Sequence, residues 1–507
     1  MTGTIWLSFP LVWLAGGAFA VYLVARFVTR RNEALASLTA LFFAAALLTV
    51  APLFSELDAN IMGQRPFSTW GRYGQDAAFL RADPGALLII VVALALGLLV
   101  AIYSGRYLAL DKRYETYYPL LLLLVFGLAG MVLTADLFNL YLFCELMSVS
   151  AYALVAFRRH LSTAIEAGLK YLVMGSVGTV TMLLGISFVY RATGDLFLPP
   201  LGSWAAAVQP DAGSVWLRAG VACLLLGLGV KSAIVPLHTW LPDAHGRAPS
   251  SISAMLSGIV VQSAFYTLLK VTMGLGYPPR QLGTLLLLLS LGGMVVGNAL
   301  ALVQVHTKRL LAYSTIAQMS YVMLSVGVGL RYGLPAAVQA GFFLLVAHAA
   351  MKGLAFLCKG AFHYYVNATR ISDLRGGFAS LPLVSVAFTI SLAGLAGLPP
   401  LAGFASKWFI LTGSLAVNDV LGYVSLVTFL LNSLLALAYY LPLIGTLYAR
   451  GQDTTLGTRD APRIRVSYWM LAPIVALALL VMGIGLYPQP CLRWVSVVSE
   501  YLSHAGR

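Results

Sequence analysis

The sequence predicts an all-α polytopic membrane protein of about fourteen transmembrane helices. Three observations carry this. Of 507 residues, 60% are hydrophobic and only 10% are charged, against about 25% charged in an average soluble domain. The apolar residues fall in long runs free of Asp, Glu, Lys and Arg. The basic residues crowd into alternate gaps between those runs. So few charges cannot clothe a soluble enzyme of this length. Disorder, collagen and nucleic-acid binding are excluded on the same composition, and the net charge of +14 belongs to membrane-flanking loops.

A spanning helix needs about 20 mostly apolar residues. Twelve charge-free runs reach that length: 1–25, 34–55, 84–105, 116–135, 171–190, 248–269, 281–305, 310–330, 332–351, 376–406, 420–449 and 466–492. Two further stretches qualify when one charge is admitted, 137–157 with Glu145 and 219–242 with Lys231. The first run lacks a basic leader and is long enough to span, so it reads as a helix and not a signal peptide. A β-barrel would alternate polar and apolar residues, so no strand is expected. The chain divides into helices one to three (1–115), four to eight (116–273) and nine to thirteen (281–449), then the fourteenth helix and tail (450–507).

Loops after odd-numbered helices carry 18 Lys and Arg, those after even-numbered helices 8, and the tail 2. The positive-inside bias then sets both termini outside, which in a bacterial inner membrane is the periplasmic face. Four lysines remain within spans or at their edges: Lys170, Lys231, Lys352 and Lys407. Cys144, Cys223, Cys358 and Cys491 form no C-x-x-C, and the seven histidines are scattered. No metal, haem, iron–sulfur or nucleotide site is expected.

A charge inside a span costs at least about 2.5 kcal/mol and reads by default as functional. Glu145 sits mid-span as a carboxylate partner for a buried lysine; a purely structural ion pair is the rival. Lys231 precedes Pro236 by five residues, so the seventh helix should break or kink between them. Such a break is tolerated only where it is buried or lines a cavity. Lys407 follows Gly397-Leu-Pro-Pro-Leu-Ala-Gly403, a second interruption. Gly/Pro-interrupted spans in corresponding halves point to a transport site; the rival is a snorkelling lysine. His348 and Lys352, four apart, share a helix face, with a satisfied core imidazole as the rival for His348. Lys170 follows Glu166 by four, as an interfacial pair or a relay group. The spacing of Lys170 and Lys352 from the broken spans suggests two five-helix units, which an odd helix number would invert.

These segments resemble the antiporter-like membrane subunits of respiratory complex I (NADH:quinone oxidoreductase), Mrp-type cation/proton antiporters and energy-converting hydrogenases. The matching text is Asp136-Leu-Phe-Asn139 with Glu145-Leu-Met, then Pro236-Leu-His-Thr-Trp-Leu-Pro-Asp243, Ala248-Pro-Ser and Ser253-Ala-Met-Leu-Ser-Gly258. It continues with Lys308-Arg-Leu-Leu-Ala-Tyr-Ser314, His348, Lys352 and Gly397-Leu-Pro-Pro-Leu-Ala-Gly-Phe404 with Lys407. The resemblance implies fourteen helices, two inverted five-helix repeats and discontinuous seventh and twelfth helices. It implies a midplane proton path through Glu145, Lys231, His348, Lys352 and Lys407, with Lys170, His238 and Gln262 as further path residues. Many members carry a lysine where this chain has Gln262, which hydrogen-bonds but holds no charge. The resemblance also implies other membrane subunits as partners, in the lipid bilayer. The chain stops soon after the fourteenth span, which fits the shorter members, without a long lateral helix.

The leading function is proton translocation by coupled Glu/Lys charge switching, without a cofactor in this chain. Exchange of Na⁺ or another monovalent cation for protons, in the Mrp manner, is the alternative. A non-conducting membrane scaffold is the third reading, and an independent membrane enzyme the least favoured.

Overall fold

The computed structural model describes residues 7–28, 31–61, 69–73, 77–111, 113–199, 215–449 and 464–504. Arg30, Arg65, Lys112, Arg450, Arg459, Arg463 and Arg507, counted above in loops and tail, lie outside them. Twelve helices among the described residues are long and apolar enough to cross a membrane. Spans one to six are Phe9–Phe27, Asn32–Ile61, Pro84–Tyr107, Tyr114–Leu133, Leu137–Val155 and Ser162–Thr193. Spans eight to eleven are Ser250–Gly274, Pro279–Leu302, Thr307–Tyr332 and Pro335–Val366. Spans thirteen and fourteen are Val420–Tyr448 and Tyr468–Leu486. The seventh span is two pieces, Val215–Lys231 and Trp240–Arg247, and so is the twelfth, Pro382–Ala396 and Ala402–Gly413. The protein is therefore an all-α polytopic membrane protein of fourteen spans, with its two breaks where proline interrupts the apolar runs.

Carboxylates start several spans by accepting a first-turn amide, the usual N-cap device. Asp83 accepts from Ala86 N at 2.8 Å, Asp136 from Asn139 N at 2.7 Å and Asp419 from Gly422 N at 2.8 Å. Burial ranks the spans. The most apolar windows of spans eight, ten and eleven are 100%, 94% and 94% buried, against 39% for span six and 33% for span thirteen. The first three form the central axis. The others turn apolar side chains such as Val177, Val180, Leu431 and Leu434 outward, where a bilayer supplies the apolar contact.

Four expectations are corrected. Strands β1 (Thr69–Tyr73) and β2 (Ala77–Arg81) pair antiparallel, Thr69 opposite Arg81, in a segment between spans two and three where no strand was expected. Gln489–His504 is a helix after the fourteenth span; it buries Val495, Val498 and Leu502, and Leu492 O accepts from Gln339 Nε2 at 3.0 Å. The sixth span begins at Ser162, because Glu166 and Lys170 pair one turn apart at 2.7 Å and do not end the helix. Lys270, Lys308 and Lys359, assigned above to loops, lie inside the eighth, tenth and eleventh spans. Each ammonium has a partner there: Asp83 at 3.1 Å for Lys270, Ala248 O at 2.6 Å for Lys308 and Ala368 O at 2.6 Å for Lys359.

Candidate functional site

The first piece of the seventh span stops at Lys231. Pro236 cannot donate to a preceding turn, and the chain crosses the gap with Ala233 in the left-handed region (φ 52°). The last carbonyls of the first piece are taken up by amides of the gap, Ala233 N on Val230 O at 3.1 Å and Ile234 N on Gly229 O at 3.0 Å, and by one side chain. Trp240 Nε1 donates to Val230 O at 2.8 Å, and its ring stacks on Tyr171 of the sixth span with centroids 4.1 Å apart. Lys231 is thereby left to reach sideways. Its buried Nζ donates to Ser148 Oγ at 2.7 Å and Tyr152 OH at 3.0 Å, both on the fifth span. Within the gap, His238 is largely buried, and its Nδ1 has no hydrogen-bond partner among the described residues.

The eighth span relaxes into a π-helical turn over Leu256–Val260, a feature that concentrates at functional sites. Gly258 makes room there: a Cβ on it would stand 2.6 Å from Leu96. One residue past the next turn's start, Gln262 Nε2 meets His348 Nδ1 at 2.9 Å and Leu345 O at 3.1 Å. Both residues are fully buried. Gln262 Oε1 and His348 Nε2 keep no protein partner among the described residues. Such buried polar atoms are where a water would hydrogen-bond. One turn along the eleventh span, Lys352 donates to Leu311 O at 2.7 Å and to Ser314 Oγ of the tenth.

In the twelfth span the first piece ends at Gly397, whose φ of 90° is a left-handed value that suits glycine. Lys407, in the second piece, folds back and donates to Ala396 O at 2.8 Å. Its Nζ also stands 5.7 Å from the centroid of the Tyr321 ring. A Cβ on Gly397 would lie 2.8 Å from Lys407 Cδ, so the missing side chain is what lets the lysine lie there.

The predicted residues thus divide. Gln262, His348 and Lys352 come together on the central axis, with Lys231 and Lys407 at the two breaks. Glu145 does not pair with Lys231, whose acceptors are the two hydroxyls one and two turns along the same helix. Glu145 is half-buried, between the exposed Leu142 and Val149 on the outward side of the fifth span. Lys170 is half-exposed, bound to Glu166 and at 3.5 Å to Asp243, off the central row.

One charged cluster escaped sequence reasoning. Lys270 and Asp83 form an ion pair with side chains 3% and 0% exposed; Lys270 also donates to Val132 O at 2.7 Å, and Tyr266 OH to Asp83. Beside them Arg81, also buried, donates to Leu198 O at 2.8 Å. The signal was present: the apolar run 248–279 contains Lys270 as its single charge.

A membrane bundle with two interrupted helices, a lysine at each interruption and a buried polar row between them has the architecture of ion-transport proteins. The chain belongs to the NADH:quinone oxidoreductase/Mrp antiporter transmembrane family, whose profile matches residues 134–436. It is 33% identical over 433 residues to NADH-quinone oxidoreductase subunit N of Desulforudis audaxviator, covering 83% of each chain. Its fold is similar to a chain of the membrane-bound sulfane sulfur reductase, an archaeal respiratory membrane complex, with TM-score 0.84, 25% identity and 99% and 98% of the two chains covered. It is similar also to a chain of respiratory complex I from Thermus thermophilus, with TM-score 0.73, 28% identity and 96% and 98% covered.

Proposed function

We propose that this protein is a proton-translocating subunit of a multi-subunit membrane complex, moving protons along Lys231, Gln262, His348, Lys352 and Lys407. The observation that carries the reading is the set of titratable groups itself: a buried lysine at one helix break, a half-buried lysine at the other, and the Gln262–His348 contact on the most buried spans. Isolated buried charges are too costly to persist without a role. Glu145 acts as the switch. An opposite charge brought near Lys231 favours its protonated form, and withdrawing that charge in a low-dielectric setting favours release. Each tenfold bias corresponds to about 1.4 kcal/mol, so modest movements suffice. Ser148 and Tyr152 hold the ammonium in the resting position, and water at Gln262 Oε1 and His348 Nε2 carries the proton past the one uncharged member.

The outward Glu145 also supports assembly with other membrane subunits, because a carboxylate beside exposed Leu142 and Val149 needs a polar neighbour from elsewhere. The basic loops favour both termini outside, which in a bacterial inner membrane is the periplasmic side.

The test is Lys231→Ala in the assembled complex. Proton pumping into membrane vesicles should be abolished while the complex persists. Unchanged pumping would sink the proposal and favour a scaffold, and a surviving sodium-dependent pH gradient would favour cation exchange.

A further inference from the structure

At the end of the bundle where spans five, six, ten and eleven meet the second piece of span seven, a cavity of about 490 Å³ opens. This is the end that carries most of the loops' basic residues. Six cationic side chains line it against two carboxylates. Three of the cations are accounted for: Arg158 by Asp111 at 3.0 Å, Arg309 by Asp243 at 3.3 Å and Lys170 by Glu166 at 2.7 Å. The other three, Arg247, Lys308 and Lys359, have no carboxylate in ion-pair range among the described residues. Lys308 and Lys359 each donate to one backbone carbonyl, which leaves two N–H groups of each ammonium to spend. Like charges gathered in one cavity repel, and an anion there relieves them.

The second observation is a groove that leaves this cavity. It has a volume of about 360 Å³ and shares Lys170 and Asp243 with the cavity. Beyond them its walls are Leu169, Val173 and Met174 of the sixth span with Thr239 and Trp240 of the seventh, apolar but for the Thr239 hydroxyl. Leu169 and Val173 are 58% and 52% exposed on the outer surface of the bundle. A cationic basin at the membrane surface, continuous with an apolar groove running along a span, matches an amphiphile: anionic at one end, hydrocarbon at the other. Basic pockets between spans on the positive-inside face are sites where phosphate headgroups bind. We propose that the basin binds the phosphate headgroup of an anionic phospholipid, with an acyl chain in the groove between spans six and seven. Occupancy would tie the start of span ten to the end of span seven and to span eleven through a shared counter-ion.

The experiment uses the full chain in phosphatidylcholine nanodiscs containing a graded fraction of cardiolipin or phosphatidylglycerol, with lipid retained after purification counted by mass spectrometry. Enrichment of the anionic lipid over phosphatidylcholine is expected. Removing two charges in Lys308→Gln/Lys359→Gln should weaken it roughly thirtyfold. The matched pair Arg26→Gln/Arg106→Gln, exposed and away from the basin, should leave it unchanged. Should the double variant fail to fold, the exposed Arg247→Gln should still weaken retention about fivefold. Val173→Trp, which fills the groove, should weaken lipid retention and leave binding of inorganic phosphate unaltered. Equal retention of phosphatidylcholine, equal loss in the control pair, or phosphate binding with lipid indifferent to Val173→Trp would each overturn the proposal.

Discussion

The two halves of the bundle solve the same problem in opposite ways. In each, a span is cut by proline and a lysine lies at the cut. In the seventh span the freed carbonyl, Val230 O, is taken by Trp240 and the Ala233 amide, and the lysine turns away to two hydroxyls on another helix. In the twelfth the freed carbonyl, Ala396 O, is taken by the lysine itself. The C-terminal end of a helix carries partial negative charge and favours a cation. Lys407 is therefore held by backbone that cannot move without refolding the span. Lys231 is held by side chains that can rotate. The contrast points to Lys231 as the responsive member of the proposed row and Lys407 as the steadier one. The halves differ also in their peripheral ion pairs. Lys270–Asp83, in spans eight and three, is almost fully buried, whereas Arg331–Asp419, at the ends of spans ten and thirteen, is partly exposed.

The buried pair gives the largest expected effect. Lys270→Met leaves Asp83 charged, buried and short of its partner, which should cost about 3–5 kcal/mol. Chemical denaturation in detergent measures this. Asp83→Asn added to Lys270→Met should recover most of the loss, because the lone buried charge is then gone. A loss in the double variant equal to the sum of the singles would show that the two groups do not act as a pair.

Next comes the tryptophan that frees Lys231. Trp240→Phe keeps a ring against Tyr171 but removes the indole donor from Val230 O, which keeps only the Ala233 amide at 3.1 Å, at about 0.5–1.5 kcal/mol for a lost hydrogen bond. A carbonyl with one lone pair freed next to Lys231 competes with Ser148 and Tyr152 for the ammonium, so the seventh span should come to resemble the twelfth. Proton pumping in vesicles should then fall by more than the loss of assembled complex explains. Pumping that merely tracks the amount of complex would leave Trp240 a structural cap and remove the contrast.

Legibility in the sequence depends on which physical rule wrote each feature. The spans were legible because hydrocarbon tolerates few charges, and the breaks because proline lacks the donor a helix needs. Lys231, Lys352 and Lys407 stood out as charges in otherwise apolar text. Lys270, Lys308 and Lys359 did not, because each was assigned to a loop, and only the fold shows the carbonyl or carboxylate that keeps it inside. The resting partners of Lys231 were equally hidden. Glu145, Ser148 and Tyr152 share a helix, and composition favours the carboxylate, yet helix rotation presents the hydroxyls. The π-turn before Gln262 has no residue signature here, since Leu256–Val260 would serve an α-helix as well. The amphipathic helix Gln489–His504 was obscured by its charges and by its place behind a stronger apolar run.

The exposed pair gives the smallest effect and the clearest control on the comparison. Arg331 donates to Asp419 Oδ2 at 2.7 Å, with Tyr332 OH and Gly422 N on Oδ1. The Arg331 hydrogen bond, together with those of Tyr332 and Gly422, holds the Asp419 carboxyl well below the usual carboxylate range. A depressed value in the folded state means that the contribution is present above the unfolded pKa, near about 4. It is lost as the pH falls through that value and on toward the folded one. Lowering the pH from neutral to about 4 should therefore change little through this site, and further acidification should erode it. Water and salt screen an exposed pair, so added salt should shrink the difference between wild type and Asp419→Asn. The same salt should leave the cost of Lys270→Met untouched, because counter-ions do not reach a pair buried between spans three and eight. Equal salt sensitivity at the two sites would mean that the pair in the first half is wet, and the distinction between the halves would rest on the helix breaks alone.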